Sequence, residues 1–514
     1  MDRGNERDLI TADIAIVGNG ILALSTAFEL TARDASLSVA VIGPEDRAGA
    51  ATPASGAMLN CFAEITKYTL RSDASRAKFA MCRDALALWP SWLDRIGEAS
   101  GHDRPHTVSG TVVIENAVSG ELDSENFDAM LDAVAKYGEA HELISPRSIA
   151  GLDPTPTARP LRALFLPDEG AADSAAVYGA VRAALDARGV RFVPYAARAL
   201  TRDGDKVTGA VLENGDQVRA GTTLVAAGAF TTPLLDTVLG PDDVQPVFSG
   251  TGIAAVTHRS DATPFHHVVR SVNRAGSCGL HAVPFPGGRD YLGATNVVFA
   301  TPRTLPSAGL SHFLLQCAID QLNNGFAFSE IMEWRVGNRP VSLDTFPLIG
   351  RGPLDGLHIA TGTYRDGFHN SPLIAAITAS EILGGAEGAE EADGYDHPFV
   401  PARRPISVFT AAESAGETAY QGACTGFEAS LVLPRLWRHQ AVPTLFSQGA
   451  VRLYEDLGAA GGAASGEAYG FSPDLVPFLV AGLFSEDGPD REAYLRVKSL
   501  LGSRGASVGL ETAR

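Results

Sequence analysis

A mixed α/β fold is what this 514-residue sequence predicts: a parallel sheet opening on a nucleotide-type turn, an antiparallel portion, and a mainly helical C-terminal extension. Three observations carry that expectation. DIAIVGNGILALSTAFEL (13–30) reads as a buried strand, a glycine turn and a helix. Residues 190–230 alternate apolar and polar around Asp203-Gly204-Asp205 and Glu213-Asn214-Gly215, the chemistry of a three-stranded meander. Residues 406–503 turn helical after the acidic, Gly/Pro-rich stretch 384–405, which reads as a linker or surface excursion.

In the first motif Ile14, Ala15, Ile16 and Val17 form the apolar run of a strand buried on both faces. Leu24, Ala27, Phe28 and Thr31 share one helical face. Between them Gly18-Asn19-Gly20-Ile21-Leu22-Ala23 has the GxGxxG/A form. Gly18 permits a tight turn, Gly20 lets a pyrophosphate reach the backbone, and Ala23 lets helix and strand pack closely. The helix N-terminus, with Ile21 and Leu22, offers free N–H groups to phosphate. A second strand, 37–42, should end on an acid for the ribose hydroxyls, but Gly43 stands there, with Glu45 and Asp46 just beyond. Either acid could be a displaced ribose partner, and Arg47 leaves a 2′-phosphate conceivable. The motif alone does not choose between FAD and NAD(P).

The remaining elements follow in order. RAGAATPASGAMLNCFAEI (47–65) is a small-residue loop suited to wrapping a planar cofactor, then a helix. Helices are expected at 76–100, with Trp89 and Trp92, at 127–138 with a glycine cap, and at 174–190; 106–116 alternates as a strand. The meander ends in a buried strand, 223–227, followed by Gly228. Residues 250–300 are strand-rich. HIATGTYRDGFHNSPLIAAITASEIL (358–383) reads as strand, glycine turn, loop and helix, with Ser371 as N-cap and Pro372 at the first position. No internal repeat appears.

Composition excludes several classes. With 45% hydrophobic and 20% charged residues the chain should pack a core. Its 41 basic and 60 acidic residues give a net charge of −19, which disfavours nucleic acid and anionic membrane surfaces. Five scattered cysteines (61, 82, 278, 317, 424) form no CxxC pair, pointing to a reduced, cytoplasmic protein without a metal site. The charged start MDRGNERDLITAD does not read as a secretory signal. No apolar run approaches the roughly 18 residues of a membrane span.

VGNGILALSTAFEL, AATPASGAML, LFLPDEGAADSAAVYGAV, TTLVAAGAF and GNRPVSLDTFPLIG…LHIATGTYRDGFHNSPLIAA occur in one order. Together they resemble the FAD-dependent D-amino-acid oxidase family, nearest its glycine oxidase and sarcosine oxidase branch, over roughly residues 10–385. The resemblance implies a Rossmann-like FAD-binding domain (10–95, 150–235, 336–385) and a discontinuous antiparallel-sheet substrate domain (96–149, 236–335). Residues 386–514 match nothing and form the helical extension, whose role as lid, dimer surface or partner site stays open, as does homo-oligomerisation.

The resemblance also implies the site. Gly18, Gly20 and Ala23 would line the pyrophosphate. Thr52, Ser55, Gly56, Ala57 and Met58 would border pyrophosphate and isoalloxazine, and Ala227 and Gly228 the adenine end. Gly337 to Arg339, and Gly362 to Gly367 with Tyr364, Asp366 and Phe368, would approach the reactive half. Arg339 matches the family's carboxylate-binding arginine, and Arg365 a second arginine near the flavin face. His281 stands where that branch has an aromatic hydroxyl, and Asn296 at a pocket-facing position. Phe368-His369-Asn370 departs from the usual aliphatic stretch and points to a larger or more polar amine. No cysteine lies between Cys317 and Cys424, so the FAD is expected to be non-covalent. The implied reaction is oxidation of a C–N bond in an amine or amino acid, by hydride transfer to flavin N5, with oxygen as acceptor giving imine and hydrogen peroxide. A dehydrogenase serving another acceptor, and a non-catalytic flavoprotein or scaffold subunit, are the alternatives.

Overall fold

Strands Arg191–Val193, Val39–Ile42, Leu9–Val17, Gln217–Val225 and Leu357–Thr361 lie parallel in that order. Leu348–Arg351 closes the far edge antiparallel. The computed structural model describes residues 8–118, 120–259, 263–275, 279–384, 394–428, 442–461 and 469–504. The run Ile14–Val17 is buried on both faces, as its composition requires. Ile14 and Ile16 pack under helices Ile21–Arg33, Asp73–Ser100, Ser174–Ala187 and Ser371–Leu383. Ala15 and Val17 pack with Leu200, Val207 and Leu212 on the other face. Those residues belong to the meander Ala197–Asp203, Lys206–Leu212 and Gln217–Val225, whose last strand also pairs with Leu9–Val17. The segment Arg191–Val193 is not part of the meander; it adds to Val39–Ile42.

A second, 10-stranded sheet is mainly antiparallel, with one parallel pair, Thr107–Asn116 beside Val268–Ser271. Its spine is Val247–His258, paired with Glu330–Ser342 along nearly its whole length. Three segments depart from the expected domain limits. Met58–Leu59, Pro160–Ala172 and Glu330–Ser342 all pair in this second sheet. Pro160–Ala172 runs antiparallel along Thr107–Asn116 before the chain enters helix Ser174–Ala187, which does pack on the first sheet. The motif that suggested the assignment therefore straddles both sheets.

The extension forms helices Ala411–Glu428, Val442–Gly461, Leu475–Phe484 and Pro489–Arg504, with a two-stranded pair Phe409–Thr410 and Tyr469–Gly470. It shares a core with the rest of the chain. Phe248, Val341, Leu343 and Tyr364 cluster with Phe471, Leu475, Phe478 and Leu479, and the rings of Phe248 and Phe478 are 4.9 Å apart. Ion pairs Arg71–Glu413, Lys67–Glu417, Arg403–Asp344 and Arg496–Asp236 fasten the same junction.

Candidate active site and cofactor cavity

A cavity of about 650 Å³ runs from the glycine turn of the first sheet to the inner face of the second. That volume lies in the range of cofactor and ligand sites. Its two ends are built differently.

At the glycine end the wall is backbone. A Cβ on Gly18 would lie 2.2 Å from the Ala226 carbonyl oxygen, and its φ of +122° excludes other residues. A Cβ on Gly20 would meet Thr52 Oγ1 at 3.3 Å. Thr52 Oγ1 accepts the Ile21 N–H at 3.0 Å, tying the second loop to the helix start. The N–H groups of Leu22 and Ala23 precede any intrahelical acceptor and stay available to an anion. Gly43 has its own reason: a Cβ there would lie 2.5 Å from Asn19 Cγ, because Asn19 folds over the strand end to donate to the Pro44 carbonyl at 2.9 Å. Of the two acids, Asp46 lines the cavity and Glu45 does not. Arg47 stacks on Tyr178 with 3.9 Å from Cζ to ring centroid, and its Nε and Nη2 are buried without a hydrogen-bond partner. Ala196, Ala197, Arg198, Ala227 and Gly228 complete this end.

The reactive end is built from charged side chains. The Arg339 guanidinium lies across Gly252, where a Cβ would be 2.3 Å from Nη1. Nη1 donates to the Thr295 carbonyl at 3.1 Å and to Asn296 Oδ1 at 3.2 Å. Among the described residues no acid pairs with Arg339. Arg365 Nη2 donates to Asp474 Oδ2 at 2.8 Å and to the Tyr364 hydroxyl at 3.1 Å. Lys78 pairs with Asp366 at 2.8 Å; burial opposes its charge, but Asp366 holds its pKa above the ordinary value. Glu64 pairs with Arg270 and Asn273; burial works toward protonation, yet Arg270 brings its pKa down to about 2. Three of the four cations here are thus neutralised within the protein, and Arg339 supplies the unbalanced charge.

His281 lines the cavity, stacked on Tyr291 with centroids 5.8 Å apart. Burial pushes its pKa down to about 4. Its Nδ1 faces the Gly279 carbonyl at 3.0 Å, so Nδ1 carries the proton and Nε2 the lone pair. It is a neutral acceptor rather than a proton shuttle near neutral pH. Tyr291 donates to the Ala54 carbonyl at 2.8 Å and braces the Ser55-Gly56-Ala57-Met58 wall. Ala57 (φ 47°) and Tyr364 (φ 50°) are held in the left-handed region, a strain found at functional sites.

Most expected residues line this cavity: Gly18, Gly20, Ile21, Leu22, Thr52, Ser55, Gly56, Ala57, Met58, Ala227, Gly228, His281, Gly337, Arg339, Tyr364, Arg365, Asp366, Gly367 and Phe368. Four do not. Ala23 is buried in the helix–sheet contact. Glu45 is exposed. Gly362 packs under Leu348. Asn296 bridges Arg339 to Tyr364, donating Nδ2 to the Tyr364 hydroxyl at 2.6 Å, and is not on the wall. Asn370, not Ser371, takes the N-cap position of helix Ser371–Leu383. The unusual Phe368-His369 pair is an anchor. Phe368 stacks on Trp89, Trp89 Nε1 donates to the His369 carbonyl at 2.7 Å, and His369 Nε2 meets the Cys82 carbonyl at 2.7 Å. Asn60, Glu64, Gly252 and Asp474 were not signalled; each acquires its role only through contacts with residues far away in the chain.

The order of these parts has a counterpart among known proteins. Residues 13–381 match the family described as FAD dependent oxidoreductase (DAO). The chain belongs to that family. It is similar to the bifunctional protein ThiO/ThiG of Synechocystis sp., at 25% identity over 403 residues, 76% of this chain and 54% of that protein. The chain thus spans about half the length of the first curated relatives it matches. It is 24% identical to the glycine oxidase of Geobacillus kaustophilus over 373 residues, 72% of this chain and 92% of that one. The crystal structure of the Geobacillus kaustophilus glycine oxidase shares the fold with a TM-score of 0.62 and 21% identity, covering 77% of this chain and 99% of that one. The family match ends before the extension.

FAD fits this cavity on the chain's own evidence. The Gly18–Gly20 turn presents bare backbone and a helix N-terminus to the cavity, the Arg47 Nε and Nη2 atoms are buried without a partner, and Asp46 adds a carboxylate to the lining. No described cysteine lines the cavity. No described helix is long and apolar enough to cross a membrane.

Proposed function

We propose that the chain oxidises the C–N bond of a carboxylate-bearing amine or amino acid, with molecular oxygen as the final acceptor. The observation that carries this reading is Arg339, laid across Gly252 with no acidic partner among the described residues. Bound FAD supplies the two-electron oxidation. The protein supplies placement. Arg339 would take the substrate carboxylate in a charge-assisted pair that fixes the amine's orientation. The amine must be neutral there, since only a neutral amine can lose a hydride from the adjacent carbon. The neutral His281 offers Nε2 as an acceptor for the amine N–H. Loss of the hydride and one N–H proton leaves an imine. Water then hydrolyses the imine to a carbonyl compound and ammonia or an amine, while oxygen takes the electron pair and two protons as hydrogen peroxide.

The test is an anaerobic titration of the purified yellow protein with amino acids and N-alkyl amino acids, followed by admission of air. Bleaching by carboxylate-bearing amines, then one peroxide per turnover, is expected. Bleaching without peroxide would reassign the protein as a dehydrogenase. A yellow protein that no amine bleaches would remove the proposed reaction.

A further inference from the structure

Asp474 lies in the extension, outside the family match, yet its carboxylate sits directly behind the wall of the reactive site, against Tyr364 and Arg365. It occupies the N-cap position of helix Leu475–Phe484 but makes no capping bond. Instead it accepts from Arg365 Nη2 and from the Tyr364 hydroxyl. The side chain is 4% exposed, and its helix is seated in the core shared with Phe248 and Tyr364.

An ionised carboxylate accepts hydrogen bonds and donates none, and this fixes the direction of a chain of bonds. Tyr364 must donate to Asp474, so its oxygen accepts from Asn296 Nδ2. The Asn296 amide is thereby turned with Oδ1 toward Arg339 Nη1. One residue of the extension therefore does two things. It neutralises Arg365, and it sets the acceptor against which Arg339 is held.

We propose that Asp474 sets the carboxylate count of the substrate site: with Arg365 taken, the cavity offers Arg339 alone and selects monocarboxylate over dicarboxylate amines. This inference rests on the reading of Arg339 as the carboxylate site. Asp474 is a positioning residue, acting through Arg365 and Asn296. Removing its charge while keeping its shape takes away the carboxylate that Arg365 Nη2 donates to and raises the positive charge at the cavity wall, which a second carboxylate would then offset.

Valerate and glutarate have the same five-carbon length and differ by one carboxylate. Each is titrated into the FAD-bound protein, and binding is read from the shift of the flavin visible spectrum, with no turnover needed. The wild type should bind valerate more tightly than glutarate. Asp474→Asn should move the glutarate-to-valerate ratio toward glutarate by roughly tenfold to a hundredfold, the scale of one charged hydrogen-bonded pair. Adding Arg365→Met to Asp474→Asn should cancel that gain. A merely structural role would weaken both acids alike and leave the ratio unchanged, overturning the proposal. Wild-type protein that prefers glutarate would overturn it without any variant. If the wild type binds neither acid, the Arg339 reading itself fails and the inference with it.

Discussion

The two ends of the cavity differ in what they are made of. At the glycine end, contact is made by backbone, and the constraint on each position is the absence of a side chain. At the reactive end, contact is made by the side chains of Asn60, Glu64, His281, Arg339, Tyr364, Arg365, Asp366, Phe368 and His369 and, behind them, Arg270 and Asp474. The first kind of site is written in one short stretch. The second is written across more than 400 residues of sequence separation, as Asn60 and Asp474 show. The difference predicts how each end fails: the glycine end by steric exclusion, the reactive end by unbalanced charge.

Arg339 should give the largest effect. Arg339→Gln loses a charge-assisted pair made of two hydrogen bonds, roughly 3–6 kcal/mol in all, so kcat/KM should fall about a hundredfold or more with FAD content unchanged. Steady-state kinetics beside flavin quantitation checks both halves. At the opposite end, Gly18→Ala places a Cβ against the Ala226 carbonyl at a disallowed φ. It should cost on the order of 2–4 kcal/mol and empty the protein of FAD, read from the flavin absorbance ratio and the melting temperature.

Much of the glycine end was legible. The strand, turn and helix of residues 13–30, and the loop around Thr52 to Met58, announce themselves because steric demands on neighbouring residues leave a local signature. Which of Glu45 and Asp46 lines the cavity was not legible, since nothing in the sequence says that Asn19 folds over Gly43. At the reactive end Arg339 was legible through its motif. The pairs Glu64–Arg270, Lys78–Asp366 and Arg365–Asp474 were not, because an ion pair leaves no periodic trace in either partner's neighbourhood. The place of strand Pro160–Ala172 in the second sheet was not legible for a related reason, its motif joining one sheet to a helix on the other.

Smaller effects sharpen the contrast. Glu169 lies behind the reactive end, accepting the N–H groups of Cys61, Phe62 and Ala63. Burial outweighs those bonds and raises its pKa from 4.5 to about 7. A raised carboxyl contributes stability that is complete below about pH 4.5 and is lost as pH rises through 7. Glu169→Gln imitates the protonated form, so its stability relative to wild type should grow between pH 5 and 8 by up to roughly 3 kcal/mol. Denaturant melts across that range measure it. Glu64 has the opposite sign: its pKa is lowered to about 2, and its contribution, present above about 4.5, should fade as pH drops toward 2. Glu64→Gln should therefore lose stability at pH 7 and converge with wild type in acid, in the same melts.

The least drastic change is Gly252→Ala. Its new methyl meets the Arg339 guanidinium, a flexible side-chain end rather than backbone, so the arginine must move by about an ångström or more. KM for a carboxylate-bearing substrate should rise about tenfold while kcat falls less, since misplaced binding rather than lost chemistry is the defect.

A crystal structure of the FAD-bound protein with valerate tests the account most directly. The account predicts flavin along the cavity, its pyrophosphate at Gly18–Gly20, and the valerate carboxylate on the Arg339 guanidinium at hydrogen-bonding distance. A carboxylate bound elsewhere, with Arg339 turned away from the flavin, would contradict it.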